Sequence, residues 1–459
     1  MGISFSVGGR GPAESQLRKT LLEHFGVTAG EIATAGRQFP ITSRVDIQNA
    51  LEELLQSRPE TKLFGVLSPN HHEPPSFAQT LAGHFPVDVG PLQYDEMDIG
   101  EAVPVRCLKN GLWISRDKDL PFAVILAPGG RFGRGSGVQV EIAVATGERG
   151  AQFSQGLFRD LETLAGQGKT YRGRVISLEG HIDPMGGGSM VKVHRLATVK
   201  REDVILPRQT LAMLDRNVTG FMRAREHLKS LNFQARKGLL FYGPPGTGKT
   251  HTIHYLASQL PGHTTLLVTA EQIGMLGEYF RLARFLQPSM MVIEDVDLIG
   301  RERTHMHFGG AEVLLNMLLN EMDGLREDAE VLFILTTNRP DQIEPALASR
   351  PGRIDQAIEF PLPDDEGRTK LTRLYARGLE VSGDIMESIV SRTRGVSAAF
   401  IRELMRRCAQ FQMEFSQGAV LTQAAVDAAI EEMLFSGGML NRRLLGGEAA
   451  EHVNPDQGA

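Results

Sequence analysis

The stretch that decides the fold is Leu239–Thr250, LLFYGPPGTGKT, an apolar strand running straight into a glycine- and proline-rich turn. Its second part, Gly243 to Thr250, satisfies G-x-x-x-x-G-K-[ST] and is followed by a helical pattern reaching Leu260, the setting that a phosphate cradle needs. Glycines let backbone N–H groups turn inward, a lysine reaches β- and γ-phosphates as a point charge, and a hydroxyl can ligate Mg²⁺. The candidate nucleotide-binding residues are therefore Gly243, Pro244, Pro245, Gly246, Thr247, Gly248, Lys249 and Thr250, with His251 directly behind them, and Thr250 is the first metal-ligand candidate. The competing reading, a tight turn without nucleotide, fits the strand–loop–helix setting poorly.

Two further apolar strands downstream end in polar groups. Met290–Asp297 (MMVIEDVD) carries acids where a magnesium site at the carboxyl end of a parallel strand needs them. Neighbouring strand residues face opposite ways, so Glu294 and Asp295 take different roles, one in the Mg²⁺ shell and one activating water. A solvated acidic helix cap is the plain alternative. Val331–Asn338 (VLFILTTN) places Asn338 where it can orient a water, and PALASRPGRID (Pro345–Asp355) presents Arg350 and Arg353, read blandly as the basic end of a surface helix.

Around these segments, from about Pro207, strands and helices alternate with short turns, which implies a parallel sheet covered on both faces. The strands fall at Leu239–Tyr242, Thr265–Thr269, Met290–Ile293, Val331–Thr336 and Gln356–Phe360. After Pro361 the pattern becomes helical only, at Glu366–Arg377, Asp384–Thr393, Ala398–Phe415 and Gln423–Met433, a smaller lid. Upstream, Ile47–Leu55 has a helical stripe and Val138–Ala145 alternates as a half-buried strand, with further strands at Gly111–Ser115, Phe122–Leu126 and Gly173–Leu178 and a helix at Gly156–Leu164. The glycine-rich Gly129–Gly137 has no lysine and reads as a hairpin or connecting loop, as does Asp183–Ser189. The expected organisation is an α+β N-terminal partner domain at 1–206, in one or two subdomains, an α/β core at 207–362, the helical lid at 363–435 and a flexible tail at 436–459.

The chain of 459 residues, with 41% hydrophobic and 23% charged residues, has ordinary globular composition. Its formal charge of -6 disfavours a nucleic-acid partner, since the overall field repels a phosphate backbone. Cys107 and Cys408 stand far apart without CxxC spacing, and the longest apolar run, Phe122–Ala127, is too short to span a bilayer, so a cytoplasmic protein without a membrane span is expected. His71 with His72, His305 with His307, and His181 with Asp183 have no further ligand at suitable spacing, HExxH is absent, and the methionines read as core filler.

The order GPPGTGKT, IEDVD, MDGL at Met322–Leu325, TTN at Thr336–Asn338 and PALASRPGRID resembles the AAA family of ATPases over about Pro207–Met433. The resemblance implies an α/β, P-loop, doubly wound parallel sheet with a C-terminal helical lid. It implies ATP and Mg²⁺ as cofactors, ATP hydrolysis between the subunits of a ring that is usually hexameric, and remodelling or translocation of a macromolecular partner, a protein first. A nucleic-acid motor or loader, and a slow nucleotide-gated switch or scaffold, are the alternatives. By position, Lys249 and Thr250 hold phosphate and Mg²⁺, Asn338 is the polar sensor, Arg350 and Arg353 are fingers into a neighbour's site, and Asp323, Gly324 and Leu325 relay nucleotide state. The family's usual acid order, Asp then Glu, is reversed here, as in the branch that includes the mitochondrial translocase of the folded Rieske protein, although that branch carries a membrane span. With the order reversed, Glu294 is assigned to Mg²⁺ and Asp295 to the attacking water. The channel loop also departs: Met275, Leu276 and Gly277 stand where unfoldases have an aromatic, an aliphatic and a glycine, which points to a weaker grip on an extended chain.

Overall fold

In the computed structural model the described residues are 16–434 apart from 57, 59, 68–74, 83–86, 132–133, 169, 180–189, 235, 298–317, 319, 322–323, 325–328, 342–353 and 417. The chain divides into two compact units, residues 1–195 with 277–286 and residues 196–276 with 287–459.

The first unit is built on an antiparallel sheet. Its strands are β1 (Ile32–Pro40), β2 (Lys62–Leu67), β3 (Asp88–Gly90), β6 (Gly111–Asp117), β7 (Leu120–Arg131) and β8 (Arg134–Ala145), ordered β1-β8-β7-β6-β2-β3, while β4 (Tyr94–Met97) and β5 (Val105–Leu108) pair as a separate ribbon. The apolar run at 122–127 is continuous because both faces of β7 are covered. Phe122, Val124 and Leu126 join alternate residues of β8 beneath helices α2 (Arg44–Gln56) and α4 (Glu148–Gln167). Ala123, Ile125 and Ala127 face the other way, towards Leu17 and Leu21 of α1 (Gln16–Phe25) and Phe77 of α3 (Phe77–Ala82). The expected helix at Ile47–Leu55 and strands at Gly111–Ser115, Phe122–Leu126 and Val138–Ala145 lie within these elements, and the described part of the glycine-rich Gly129–Gly137 forms the paired ends of β7 and β8, with Gly129 opposite Gly137 and Arg131 opposite Arg134. Helix α4 starts earlier than its apolar stripe. Strand β1 carries no clear alternation because it pairs only with β8 and buries only Ile32 and Phe39. A further antiparallel pair, β9 (Val175–Glu179) with β10 (Met190–His194), closes this part of the chain.

In the second unit, α5 (Arg208–Leu214) and α6 (Phe221–Ser230) precede β11 (Lys237–Tyr242), α7 (Lys249–Gln259), β12 (Thr264–Val268), α8 (Leu276–Phe285), β13 (Ser289–Ile293), β14 (Val331–Thr337) and β15 (Gln356–Glu359), although α8 beyond Leu276 counts with the first unit. The strands are parallel and run in the order β12-β13-β14-β11-β15. β13 and β14 are buried along their whole length, as strands sandwiched between helices must be. Leu239, Phe241, Val292, Leu332 and Ile334 of the sheet pack with Val218, Ile253 and Leu256 from the helices. The chain therefore has the α/β fold expected, a parallel sheet with crossover connections and a helical part behind it, preceded by a β-rich unit. That helical part comprises α9 (Asp365–Ala376), α10 (Gly383–Arg392), α11 (Ala398–Phe415) and α12 (Gln423–Leu434) around Leu371, Ile389, Leu404, Cys408 and Val426. Asp364 and Ser397 cap α9 and α11, accepting from Gly367 N at 2.7 Å and Phe400 N at 3.3 Å. The tail at 436–459, the loop Asp183–Ser189 and the pairs His71–His72, His305–His307 and His181–Asp183 lie outside the described residues.

Phe241 is fully buried, with its ring centroid 5.0 Å from that of Phe360. Phe241→Ala should cost the second unit about 3–5 kcal/mol by removing a filled core volume, read as a lower urea midpoint, and a loss below about 1 kcal/mol would contradict this packing.

Candidate active site

The carboxyl ends of three neighbouring strands meet at one place. Because β14 lies between β11 and β13, with Tyr242 opposite Thr337 and Ile293 opposite Leu335, the residues that follow each strand emerge side by side. These are the loop after β11, the acids after β13 and Asn338 after β14. Gly243 opens the loop at φ +146, and a Cβ there would lie 2.2 Å from the carbonyl oxygen of Phe360, so only glycine fits. Gly246, at φ +76, is met by the lid: its carbonyl accepts from Ala399 N at 3.1 Å, and a Cβ would meet the side chains of Ala399 and Ser397. Helix α7 begins at Lys249, so its first N–H groups face the loop, a ready anion site.

Lys249 is buried, and its Nζ donates to Gly243 O (2.8 Å), Pro244 O (3.0 Å) and Asn338 Oδ1 (2.8 Å). Burial lowers its pKa to about 8 against the opposing charges of Asp295 and Asp297. Asn338 passes the contact on, its Nδ2 donating to Asp295 Oδ1 at 2.9 Å. On the other side Thr250 Oγ1 donates to Glu294 Oε1 at 2.7 Å. Thus the two reversed acids separate: Glu294 stands with the hydroxyl that follows the lysine, and Asp295 with the lysine and the asparagine. The alternation argument for that separation does not hold, since β13 ends at Ile293 and both acids lie past it. The backbone turns instead, with Asp295 at φ +48. Three hydrogen bonds fix the turn, from Glu294 N to Val268 O (2.9 Å), Asp295 N to Thr336 Oγ1 (2.9 Å) and Val296 N to Thr336 O (2.9 Å). Burial, then the charges of Asp297 and Glu294, raise the Asp295 pKa, while Lys249 and the Asn338 bond oppose the rise.

The resulting cavity holds about 320 Å³ and is lined by the loop, Asp295, Thr336 and Asn338 on the sheet side. Its remaining walls are residues that sequence reasoning missed: Asp203–Leu206 just before α5, Leu371 and Tyr375 of α9, and Arg402 of α11. No local motif marks them. They line the pocket only because the lid and the lead-in segment fold over the loop, and Asp203–Leu206 belong to the second compact unit although the expected core started at 207. His251 lines the same cavity, its Nε2 lying 3.3 Å from Asp203 O. Arg350, Arg353, Asp323 and Leu325 lie outside the described residues, and Gly324 sits in a turn, donating to Asn320 O at 3.0 Å. The proposed channel triplet is not a free loop. Met275 ends a 3₁₀ turn and is half-buried, and Leu276 begins α8 with no exposed surface, so its side chain serves the core instead of gripping a partner. No helix among the described residues is long and apolar enough to cross a membrane, and no metal-binding cluster of three or more His, Cys, Asp or Glu occurs among them.

These features define a P-loop nucleotide site on a parallel α/β sheet. Residues 239–362 match the family model of the ATPase family associated with various cellular activities (AAA), and the chain carries an AAA ATPase domain there. It is similar to the proteasome-activating nucleotidase of Pyrococcus horikoshii, 32% identical over 220 residues that make up 46% of this chain and 55% of that protein. It is also similar to the 26S proteasome regulatory subunit 10B of Dictyostelium discoideum, 33% identical over 42% of this chain and 52% of the relative. The ATP-dependent zinc metalloprotease FtsH 4 of Sphaerobacter thermophilus is 34% identical over 42% of this chain and 31% of its own length. The chain thus spans about half the length of the proteasomal relatives, and its sequence contains no HExxH.

Lys249 sets a pH dependence. Phosphates favour its ammonium form, but without them Lys249 loses that proton above about pH 8, so binding must take a proton up there and affinity falls as pH rises. From pH 7 to pH 9 the Kd of a fluorescent ATP analogue should rise about tenfold, whereas Lys249→Ala should bind weakly with no such slope. A wild-type Kd flat across that range would contradict the assignment.

Proposed function

We propose that the protein is a Mg²⁺-dependent ATPase that assembles into a ring, most simply a hexamer, and uses ATP turnover to remodel or translocate a protein partner. One observation carries the reading: Thr250 with Glu294, and Lys249 with Asn338 and Asp295, form two adjoining polar chains around one cavity at the strand ends. A threonine hydroxyl and a carboxylate oxygen are the hard donors that Mg²⁺ takes, so Thr250 and Glu294 fit it. When bound, it supplies charge neutralisation at the β- and γ-phosphates. The loop N–H groups and Lys249 hold the phosphates. Asp295, whose raised pKa makes it a better proton acceptor, takes the proton of the attacking water, and Asn338 orients that water. Arg350 and Arg353 are assigned to the neighbouring subunit's site, stabilising transition-state charge in trans.

A protein partner is favoured over nucleic acid by the formal charge of -6 and by the likeness to a proteasome-activating nucleotidase and a proteasome regulatory subunit. The Glu294–Asp295 order supports a likeness to the branch that includes the Rieske-protein translocase. A cytoplasmic location suits Cys107 and Cys408, both free and buried.

The two acids test the roles. Asp295→Asn should bind ATP and lose about 10²–10⁴-fold in kcat, and Glu294→Gln should need more Mg²⁺ for half-maximal rate. Normal turnover by Asp295→Asn would reverse the assignment. Specific activity should also rise with protein concentration alongside light scattering, and activity flat down to the monomer would defeat the ring.

A further inference from the structure

The run MMVIEDVD holds a third acid that the proposed reaction leaves without a part. Asp297 is 5% exposed and does not line the cavity. Its Oδ1 instead accepts two hydrogen bonds from the end of the neighbouring strand, one from Thr337 Oγ1 at 2.9 Å and one from the backbone N of Asn338 at 3.1 Å. Thr337 Oγ1 in turn accepts from the backbone N of Arg339 at 2.9 Å. One carboxylate oxygen therefore gathers the last residue of β14 and the start of the loop after it. A buried acceptor of this kind is costly to remove, because both donors would lose their partner.

What the clamp holds is the root of the Asn338 side chain. The carboxamide has a donor end and an acceptor end, and both are committed: Nδ2 to Asp295 and Oδ1 to Lys249. Two bonds at the tip do not fix the amide unless its backbone is fixed as well, and past Thr337 the ladder has ended. A displacement on the order of 1 Å at a group that orients a reactant can cost about 10²-fold in rate.

We propose that Asp297 is a positioning residue of the hydrolysis step, holding the Thr337–Asn338 backbone so that the Asn338 carboxamide bridges Lys249 and Asp295. The inference rests on the ATPase reading given above. It makes Asp297 act through Asn338, without contact to nucleotide or water.

The test is a double-mutant cycle read in kcat and KM for ATP, with Kd for a fluorescent ATP analogue measured separately because it needs no turnover. Asp297→Ala should lower kcat by about 10- to 100-fold and leave Kd within about threefold. Asn338→Ala should show the same split. The double variant should be no slower than Asn338→Ala alone, since the clamp has nothing left to position. Asp297→Asn keeps an oxygen that can accept the same two bonds, so it should recover most of the lost kcat. If Asp297→Ala does not fold, Thr337→Val, which deletes one of the two donors, replaces it in the cycle with an expected loss of about fivefold, again absent when Asn338 is already alanine. Additive losses, an affinity loss as large as the kcat loss, or an Asp297→Asn as slow as Asp297→Ala would each overturn the role. Absence of ATP turnover in the wild-type protein would overturn the reaction and this inference with it, whereas turnover with additive losses overturns the role of Asp297 alone.

Discussion

Everything in the second unit depends on the parallel ladder that sets β14 between β11 and β13. Parallel hydrogen bonding fixes the register along the strands: with Tyr242 opposite Thr337, β11 and β14 end together, and with Ile293 opposite Leu335 the acids that follow β13 come up beside Thr336. A slip of one residue in β14 would turn Asn338 to the opposite face and unmake the bridge between Lys249 and Asp295. The apolar strands are therefore more than core. Their burial on both faces, with Leu332, Phe333, Ile334 and Leu335 all covered, is what makes a slipped register expensive.

A buried lysine is the main electrostatic cost that this geometry carries. Lys249 is held by two loop carbonyls and an asparagine oxygen, with Asp295 and Asp297 close enough to oppose its loss of charge. Asp295 pays a penalty of its own, its pKa raised by burial and then by the neighbouring charges of Asp297 and Glu294. Positive and negative groups at the strand ends thus destabilise themselves by burial and support one another by proximity, an arrangement poised for a charged ligand. The stitching of the β13 and β14 ends by Thr336, Thr337 and Asp297 keeps those charges at fixed separations.

How far the sequence could be read depended on whether the signal was local. GPPGTGKT announces its loop because glycine, lysine and threonine must fall at fixed offsets whatever surrounds them, and the lid helices announce themselves through 3.6-residue periodicity. In the first unit, β7 was legible from apolar content and β8 from alternation, while β1, β3 and β4 were not. Their residues are half-exposed, and an edge or ribbon strand keeps no clean alternation. The triplet Met275–Gly277 misled for a related reason: a short apolar pair reads equally well as a presented loop or a helix start, and only packing settles that Leu276 faces inward.

The sequence by itself determined the phosphate loop, the strand that feeds it, the two acids and the asparagine, the lid helices and the order in which these follow one another. Each is written in residues whose backbone freedom, charge or periodicity acts within a few positions. Tertiary structure alone decided which acid stands beside Thr250 and which beside Asn338, because that partition is made by a left-handed turn at Asp295 and by bonds to Val268 and Thr336 from other strands. It also decided that Asp203–Leu206, Tyr375 and Arg402 wall the cavity and that Asp297 grips the end of β14. Such contacts join residues tens of positions apart, and spacing along the chain does not encode distances across a sheet or between a loop and the helix folded over it.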